Sequence, residues 1–189
     1  MIHRTAALFV FAFATPGFAQ SVTLTPADPQ PAAGDLTPGL AVSYAYPKDV
    51  RLLEDAEDAL ESAKSGPPIR GLSYSDNTEG DLTLTSEKAS KVAAAISGFI
   101  RFDAAGTFEV EMISNDGLVA SIGGQQVGLY DGVHGCEPAG IQEVVVPEAA
   151  WYPIEITYFQ RKGSACLEMD WNVDGRMGPV PDAVFAHIE

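Results

Sequence analysis

The chain has 189 residues, of which 46% are hydrophobic, and carries a formal net charge of −15. This length is enough for one domain with a sizeable core. The acidic balance argues against a surface for nucleic acid or anionic lipid, because phosphate groups would be repelled.

The first 19 residues have the order of a secretory signal peptide. A short basic start, His3 and Arg4, precedes an apolar run over residues 5–15 that is too short to cross a bilayer as a helix. Residues 17–19, Gly-Phe-Ala, then form a small-x-small cleavage site. We predict cleavage after Ala19 and export to the periplasm or out of the cell. The remaining chain would hold 10 basic and 26 acidic residues, a net charge of −16, and no segment that predicts a membrane span.

Residues 20–37 are rich in Pro, Ala and Asp, and we predict that they form an extended leader outside the core. Residues 38–189 are predicted to form the folded domain. It opens with a strand over residues 39–46, in which apolar side chains alternate.

A helix is predicted over residues 49–65, because Val50, Leu53 and Leu60 recur at helical spacing. Asp49 is expected to cap its start, and the Gly-Pro-Pro that follows is expected to end it. Its acidic side is interpreted as an ordinary solvated face.

Residues 91–102 carry two conflicting signals. Their alanines favour a helix, whereas Val92, Ala94 and Ile96 alternate as in a strand. From Phe99 onward the pattern is typical of β-structure.

Short alternating runs separated by turns predict a mainly β fold, a sandwich or barrel. The pair Gly123-Gly124 has the residues of a two-residue hairpin turn. The runs 152–158 and 167–173 each place their apolar residues on one side, and we expect them to be neighbouring antiparallel strands.

The two cysteines, Cys136 and Cys166, predict one disulfide in an exported chain. His134 lies two residues before Cys136, which also suggests a Cys/His catalytic or metal site. An oxidising compartment argues against that alternative, and we favour the structural disulfide.

The motifs of common enzymes are missing from the sequence. There is neither a nucleophile elbow nor a phosphate-binding glycine loop, and the histidines lack metal-ligand spacing. Glu109, Glu111, Glu168 and Asp170 could suggest a glycosidase pair, but they alternate with apolar residues on the strands. We interpret them as a solvated sheet face and predict that the protein is not an enzyme.

Four stretches occur in an order that resembles the PA14 domain, a β-barrel family of the protective-antigen type. They are GTFEV from Gly106, SNDGLVASIGG from Ser114, AWYPIEITYFQ from Ala150 and CLEMDW from Cys166. The resemblance covers about residues 38–186. It implies a single-domain antiparallel β-sandwich or barrel with one short N-terminal helix, and it implies that Lys91 to Phe102 is a strand.

The PA14 resemblance also implies carbohydrate binding. In lectin-like members, two adjacent aspartates of an S-D-D-G motif hold a calcium ion that binds sugar hydroxyls. The matching positions here are Asn115 and Asp116, and the Asn removes one carboxylate, on which calcium affinity depends. Asn172 and Asp174 are candidates to supply further oxygens to such a metal site. An ordinary tight turn also explains Asn-Asp-Gly, and we favour the turn over the metal site.

We therefore expect an exported, non-catalytic module that binds a carbohydrate or glycoconjugate, with Ca²⁺ as the candidate cofactor. The candidate ligand-binding residues are Asn115, Asp116, Tyr130 and Asp131, and Tyr130 would supply an aromatic face. The alternative is a structural or protein-interaction domain of the periplasm or cell envelope without a sugar site. Its contact surfaces would be the acidic helix face and the leader.

Overall fold

The computed structural model describes residues 21–189, so the predicted signal peptide over residues 1–19 lies outside the described residues. This part of the chain has one α-helix, α1 (Leu53–Leu60), and fourteen strands. The strands are β1 (Val22–Thr23), β2 (Leu36–Pro38), β3 (Ala41–Ala45), β4 (Lys64–Ser65), β5 (Ser73–Tyr74), β6 (Val92–Phe102), β7 (Gly106–Asn115), β8 (Leu118–Ile122), β9 (Gln125–Tyr130), β10 (Glu137–Val146), β11 (Ala150–Gln160), β12 (Cys166–Trp171), β13 (Gly178–Pro179) and β14 (Phe185–Ile188).

The strands form two sheets that pack face to face. The six-stranded sheet has the order β1-β10-β7-β12-β13, with β5 also on β12. The eight-stranded sheet has the order β2-β14-β6-β11-β8-β9, with β3 on β6 and β4 on β3. Only the β1–β10 pair is parallel among the described strands. The predicted mainly β antiparallel sandwich with one short helix is confirmed.

The core between the sheets follows the alternation in the sequence. The inward side chains of the long strands are buried, among them Val110 and Met112 on β7, Tyr152, Ile154, Ile156 and Tyr158 on β11, and Leu167, Met169 and Trp171 on β12. These side chains interdigitate because alternate residues of a strand point to the same face.

The start of β6 is buried on both faces, which explains its alanines. Helix α1 covers the outer face of the eight-stranded sheet, where Leu53 and Ala56 pack with Ala93 and Phe159. Ala94 faces the core between the sheets. The small alanine side chains let α1 lie close to the sheet. Their burial on both faces stabilises a strand here, although alanine by itself favours a helix. The strand over residues 91–102 is confirmed.

The expected pairing of runs 152–158 and 167–173 is wrong. β11 pairs with β6 and β8 in one sheet, whereas β12 pairs with β7 in the other. The two apolar faces meet across the core instead of lying side by side. The alternating pattern shows which residues face inward. It does not show whether two such strands are neighbours in one sheet or lie in facing sheets, because the pattern is identical in both cases.

The leader segment is packed onto the domain. β1 and β2 extend one sheet each, and the N–H of Leu24 donates to the carbonyl of Val145 at 2.9 Å. Leu24 is only 1% exposed and lies in the core. Backbone pairing with the sheet edges, the buried Leu24 and two hydrogen bonds between the Gln30 side chain and the Trp151 backbone hold a segment that is otherwise poor in apolar residues.

Helix α1 begins later than expected, and Asp49 does not cap it. The N–H of Leu53 donates to Oδ1 of Asp131 at 2.7 Å. Asp49 instead forms ion pairs with Arg51 and Arg161. Two carboxylates therefore cap the helix: Asp131 from a distant loop, which local sequence cannot show, and Asp55 of its own first turn, whose Oδ2 accepts the N–H of Leu52 at 3.1 Å.

Two local features agree with expectation. Gly123-Gly124 forms the β8–β9 hairpin, in which Ile122 pairs with Gln125. No helix within residues 21–189 is long and apolar enough to span a membrane.

Candidate functional site

The Asn115-Asp116 pair lies where the chain passes between the sheets. β7 ends at Asn115 in the six-stranded sheet, and β8 begins at Leu118 in the eight-stranded sheet. The Asn115–Asp116 peptide bond is cis. Asn115 is 7% exposed and Asp116 is 1% exposed, so this corner of the sandwich is largely buried.

The Asp116 carboxylate joins two loops. Oδ1 accepts the backbone N–H of His134 at 3.2 Å, and Oδ2 accepts the backbone N–H of Arg161 at 2.6 Å. Burial raises the pKa of the Asp116 carboxyl, and the hydrogen bonds from the N–H groups of Arg161 and His134 partly offset that rise. Asp116 thus fixes the loop over residues 131–136 against the loop over residues 161–165.

The neighbours of Asp116 are held in the same network. Ser114 Oγ donates to the carbonyl of Asp116 at 2.6 Å, and Asn115 Nδ2 donates to Ser164 Oγ at 3.3 Å. The Tyr158 hydroxyl donates to the carbonyl of Asn115. Burial raises the pKa of Tyr158 well above its ordinary value, so this hydroxyl keeps its proton and remains a donor.

The predicted disulfide between Cys136 and Cys166 is confirmed, with an S–S distance of 2.05 Å and a Cα–Cα distance of 5.9 Å. It links the end of the 131–136 loop to the first residue of β12. The disulfide and the Asp116 carboxylate therefore hold the same two loops together. The paired cysteines are not available for the Cys/His catalytic or metal site that was weighed against the disulfide.

Tyr130 presents an aromatic ring beside this corner. It is 38% exposed, and its ring stacks on the ring of His134 with 3.6 Å between centroids and an interplanar angle of 30°. His134 Nε2 lies 3.4 Å from Ser114 Oγ, so His134 connects the ring to the buried network. Sequence reasoning did not identify His134 as a support for Tyr130; its only signal was its place beside Cys136.

Asp131, the fourth predicted ligand-binding residue, is exposed and adjoins Tyr130. Its Oδ1 caps α1 through the Leu53 N–H. The structure therefore brings Asn115, Asp116, Tyr130 and Asp131 to one end of the sandwich. Tyr130 and Asp131 lie at the surface there, whereas Asn115 and Asp116 are buried.

Asn172 and Asp174 do not lie near this corner. The β7–β12 register pairs Cys166 with Asn115 but Trp171 with Val110, so residues after Trp171 lie at the opposite end of β7. Six residues of strand separate the two positions, a span of roughly 20 Å. Asn172 instead pairs with Glu109, accepting its N–H through Oδ1 at 2.7 Å and donating through Nδ2 to Oε2 at 2.9 Å.

The corner offers few of the six to eight oxygen ligands that a calcium ion takes. Asp116 supplies a single carboxylate, and both of its oxygens already accept backbone N–H groups. Within residues 21–189, the side chains that converge as metal ligands would are Asp76, Cys136 and Cys166, and both sulfurs belong to the disulfide. Asp116 therefore belongs to no convergent group of three or more His, Cys, Asp or Glu side chains within residues 21–189.

The carboxylates considered for a glycosidase pair lie on the outer face of the six-stranded sheet. Asp170 is directly opposite Glu111 across the β7–β12 pair. Burial raises the pKa of Glu168, and the negative charges of Asp170 and Asp76 raise it further. All four of the carboxylates considered for the pair are half-buried and lie opposite the core, as expected for the outer face of a sheet.

These features define a two-sheet β-sandwich with a disulfide-linked pair of loops at one end. A sequence model of the PA14 domain matches residues 73–184, and the chain belongs to the PA14 domain family. No curated protein sequence is significantly similar to the chain.

Solved PA14 structures share this fold. The PA14 domain of the antifreeze protein MpAFP has 15% identity and a TM-score of 0.67, over 80% of this chain and 92% of that chain. A PA14 sugar-binding domain from an RTX adhesin has 18% identity and a TM-score of 0.65, over 80% and 99%. The epithelial adhesin 9 A domain of Candida glabrata, in complex with Galβ1-3GlcNAc, has 12% identity and a TM-score of 0.64, over 90% and 97%. At these identities the likeness establishes the fold.

Proposed function

We propose that this chain is a non-catalytic PA14 module that binds a carbohydrate or glycoconjugate through the surface around Tyr130. The observation that carries the proposal is the Tyr130 ring, which is 38% exposed and rests on His134. A large apolar ring with a polar hydroxyl suits the C–H face of a sugar and its neighbouring hydroxyl groups.

The buried residues act by positioning this surface. Asp116 and the disulfide hold the 131–136 loop, and Tyr130 immediately precedes that loop. Asp131 uses one carboxylate oxygen on the Leu53 N–H and has a second oxygen that can accept a sugar hydroxyl. A preorganised loop loses little conformational entropy when a ligand binds.

Structural neighbours support the choice of ligand class. The RTX adhesin domain is described as sugar-binding, and the epithelial adhesin 9 domain was solved with a galactose-containing disaccharide. A disulfide is also typical of exported proteins, and we propose export to the periplasm or out of the cell.

The proposal makes no use of calcium, because the corner offers one carboxylate that is already hydrogen-bonded. Calcium assistance remains a separate prediction of the family resemblance. A binding assay with and without calcium distinguishes the two modes.

A glycan array tests the proposal, using purified residues 20–189 with calcium or with chelator. We expect binding under both conditions, a loss of about tenfold or more in Tyr130→Ala and retention in Tyr130→Phe, since a stacking residue acts as an anchor. Silence across the array, or equal binding by Tyr130→Ala and the unmodified protein, would contradict the proposal.

The second candidate is a protein-interaction domain of the cell envelope. It is favoured by the acidic side of α1, where Glu54, Asp55, Glu57 and Asp58 are all exposed. Such a face suits a basic partner. Capture of a specific envelope protein that is lost when these four residues become Gln or Asn would favour this candidate over sugar binding.

A further inference from the structure

A cleft of about 420 Å³ is lined by none of the corner residues, and we call it the Tyr46 cleft. It is bounded on one side by the end of β3, by β4 and by the residues that lead into β4, and on the other by the loop over residues 83–88. β3 and β4 precede residue 73, where the match to the PA14 family model begins. One wall of this cleft is therefore formed by a segment outside the family match.

The floor of the Tyr46 cleft is fixed by hydrogen bonds. The Tyr44 side chain is buried, and its hydroxyl lies 2.8 Å from Thr85 Oγ1 while accepting the Thr85 N–H at 3.1 Å. Thr85 Oγ1 donates to the carbonyl of Pro67 at 2.6 Å. Burial raises the pKa of Tyr44 to about 12, so its hydroxyl stays neutral. These bonds join β3, the residues after β4 and the 83–88 loop, and together they form the floor of the cleft.

The backbone at Gly66 also shapes this floor. A Cβ at this position would lie 2.6 Å from Cδ2 of Tyr44, so only glycine lets the chain lie on the Tyr44 ring. The close packing of Gly66 on the Tyr44 ring thus forms part of the cleft floor.

Tyr46 supplies a half-buried aromatic ring at the side of the cleft. Its hydroxyl accepts the N–H of Glu87 at 3.2 Å and still has its own proton to donate. The Lys88 ammonium lies 4.7 Å from the ring centroid, which holds the ring from one side. An adjoining cleft of about 370 Å³ shares Tyr46 and Ser62 and reaches Asp55 and Asp58 on α1.

The exposed polar groups of the Tyr46 cleft include both a cation and an anion. Lys64, Ser65 and Glu87 are exposed and line it. The ion pairs among residues 21–189 do not join Lys64 to Glu87. An ammonium donates to a hydroxyl oxygen and a carboxylate accepts a hydroxyl proton, so this pair matches the neighbouring hydroxyl groups of a sugar.

We propose that the Tyr46 cleft is a second saccharide subsite, separate from the Tyr130 surface, which takes a neutral sugar residue against the Tyr46 ring between Lys64 and Glu87. The adjoining cleft lets a longer oligosaccharide continue past Tyr46 towards α1. This inference shares with the proposed function the assumption that the ligand is a carbohydrate, but it depends on different residues.

The test compares variants of the two surfaces on one array of neutral oligosaccharides that includes lactose and Galβ1-3GlcNAc. The variants are Tyr46→Ala, Tyr46→Phe, the double variant Lys64→Ala/Glu87→Gln and Tyr130→Ala, each checked for its melting temperature. For the glycans that Tyr130→Ala still binds, we expect Tyr46→Ala and the double variant to bind about tenfold or more weakly, with Tyr46→Phe retaining most binding, because the ring and the charged pair act as anchors. Lys64 and Glu87 are exposed, so the double variant decides the result if Tyr46→Ala does not fold.

The outcomes separate the two sites. Unchanged binding by the Tyr46 and Lys64/Glu87 variants, with loss in Tyr130→Ala, would overturn the second subsite and leave the Tyr130 surface standing. Loss in the cleft variants with normal binding by Tyr130→Ala would support the cleft and overturn the proposal for Tyr130. If the unmodified protein binds no glycan, both are overturned.

Discussion

Asp116 and Arg161 are 45 positions apart in the chain, and the Arg161 N–H donates to Asp116 Oδ2 at 2.6 Å. The other carboxylate oxygen accepts the N–H of His134. One buried side chain thus fixes the relative positions of the two loops next to Tyr130. In this corner a carboxylate that the family resemblance associates with metal binding has a structural use.

Replacing Asp116 is expected to destabilise the fold. Asp116→Ala would leave two N–H groups without their acceptor, at a cost of about 1–3 kcal/mol for each buried group. Urea unfolding should show a lower free energy of unfolding for this variant. Asp174→Ala is the control, because Asp174 is exposed and far from the corner. Equal stability of Asp116→Ala and the unmodified protein would show that the carboxylate does not hold the loops.

Calcium is expected to leave the melting temperature unchanged. An ion that binds only the folded state raises that temperature, and Asp116, the one carboxylate of the Asn115-Asp116 pair, already uses both of its oxygens on backbone N–H groups. Thermal unfolding of residues 20–189 with millimolar calcium and with chelator measures this directly. A melting temperature that rises with calcium in the unmodified protein but not in Asn115→Ala would instead establish the metal site implied by the resemblance.

Gly117→Ala should disturb the corner without touching a polar group. A Cβ at this position would lie 2.4 Å from Cε1 of Phe159 and 2.8 Å from the carbonyl oxygen of Tyr130. Overpacking of this kind costs about 1–3 kcal/mol, so the melting temperature should fall. Gly135→Ala is a matched control in the neighbouring loop, where the added Cβ would meet nothing within 4 Å. Similar melting temperatures for the two variants would contradict this packing account.

Glu168→Gln should stabilise the protein at neutral pH. Burial, Asp170 and Asp76 raise the pKa of Glu168, so its ionised form is less favourable in the folded state than in the unfolded chain. The stability contributed by this group is present below its unfolded pKa and is lost as pH rises through the folded value. Removing the charge should therefore add about 0.2–1 kcal/mol at pH 7, the scale of a like-charge contact on a sheet.

The pH dependence checks the cause of that gain. The advantage of Glu168→Gln over the unmodified protein should shrink as pH falls through the raised folded pKa of Glu168 and be lost below the ordinary Glu pKa of 4.5, because the unmodified side chain is then neutral in both the folded and the unfolded state. Melting temperatures across this range measure the effect, with Glu79→Gln as an exposed control. A gain that stays constant with pH would point to packing and not to charge.

The sequence by itself determined which side chains face the core. Alternation identified the inward residues of β7, β11 and β12, and the Gly123-Gly124 hairpin was visible in its residue types. Two cysteines in a chain with a predicted signal peptide predicted the disulfide. These features depend on local geometry, since a strand points alternate residues to one face whatever its neighbours are.

Only the tertiary structure decided which strands are partners. Runs 152–158 and 167–173 have equivalent patterns but lie in different sheets, and Asn172 lies with Glu109 at the end of the sandwich opposite Asn115. Strand pairing and register depend on contacts between distant parts of the chain, and an alternating apolar pattern does not specify them. The same holds for the corner: Asp116 meets His134 and Arg161 because three separate chain segments pack there, and that convergence turns an Asn-Asp-Gly sequence into a link between two loops.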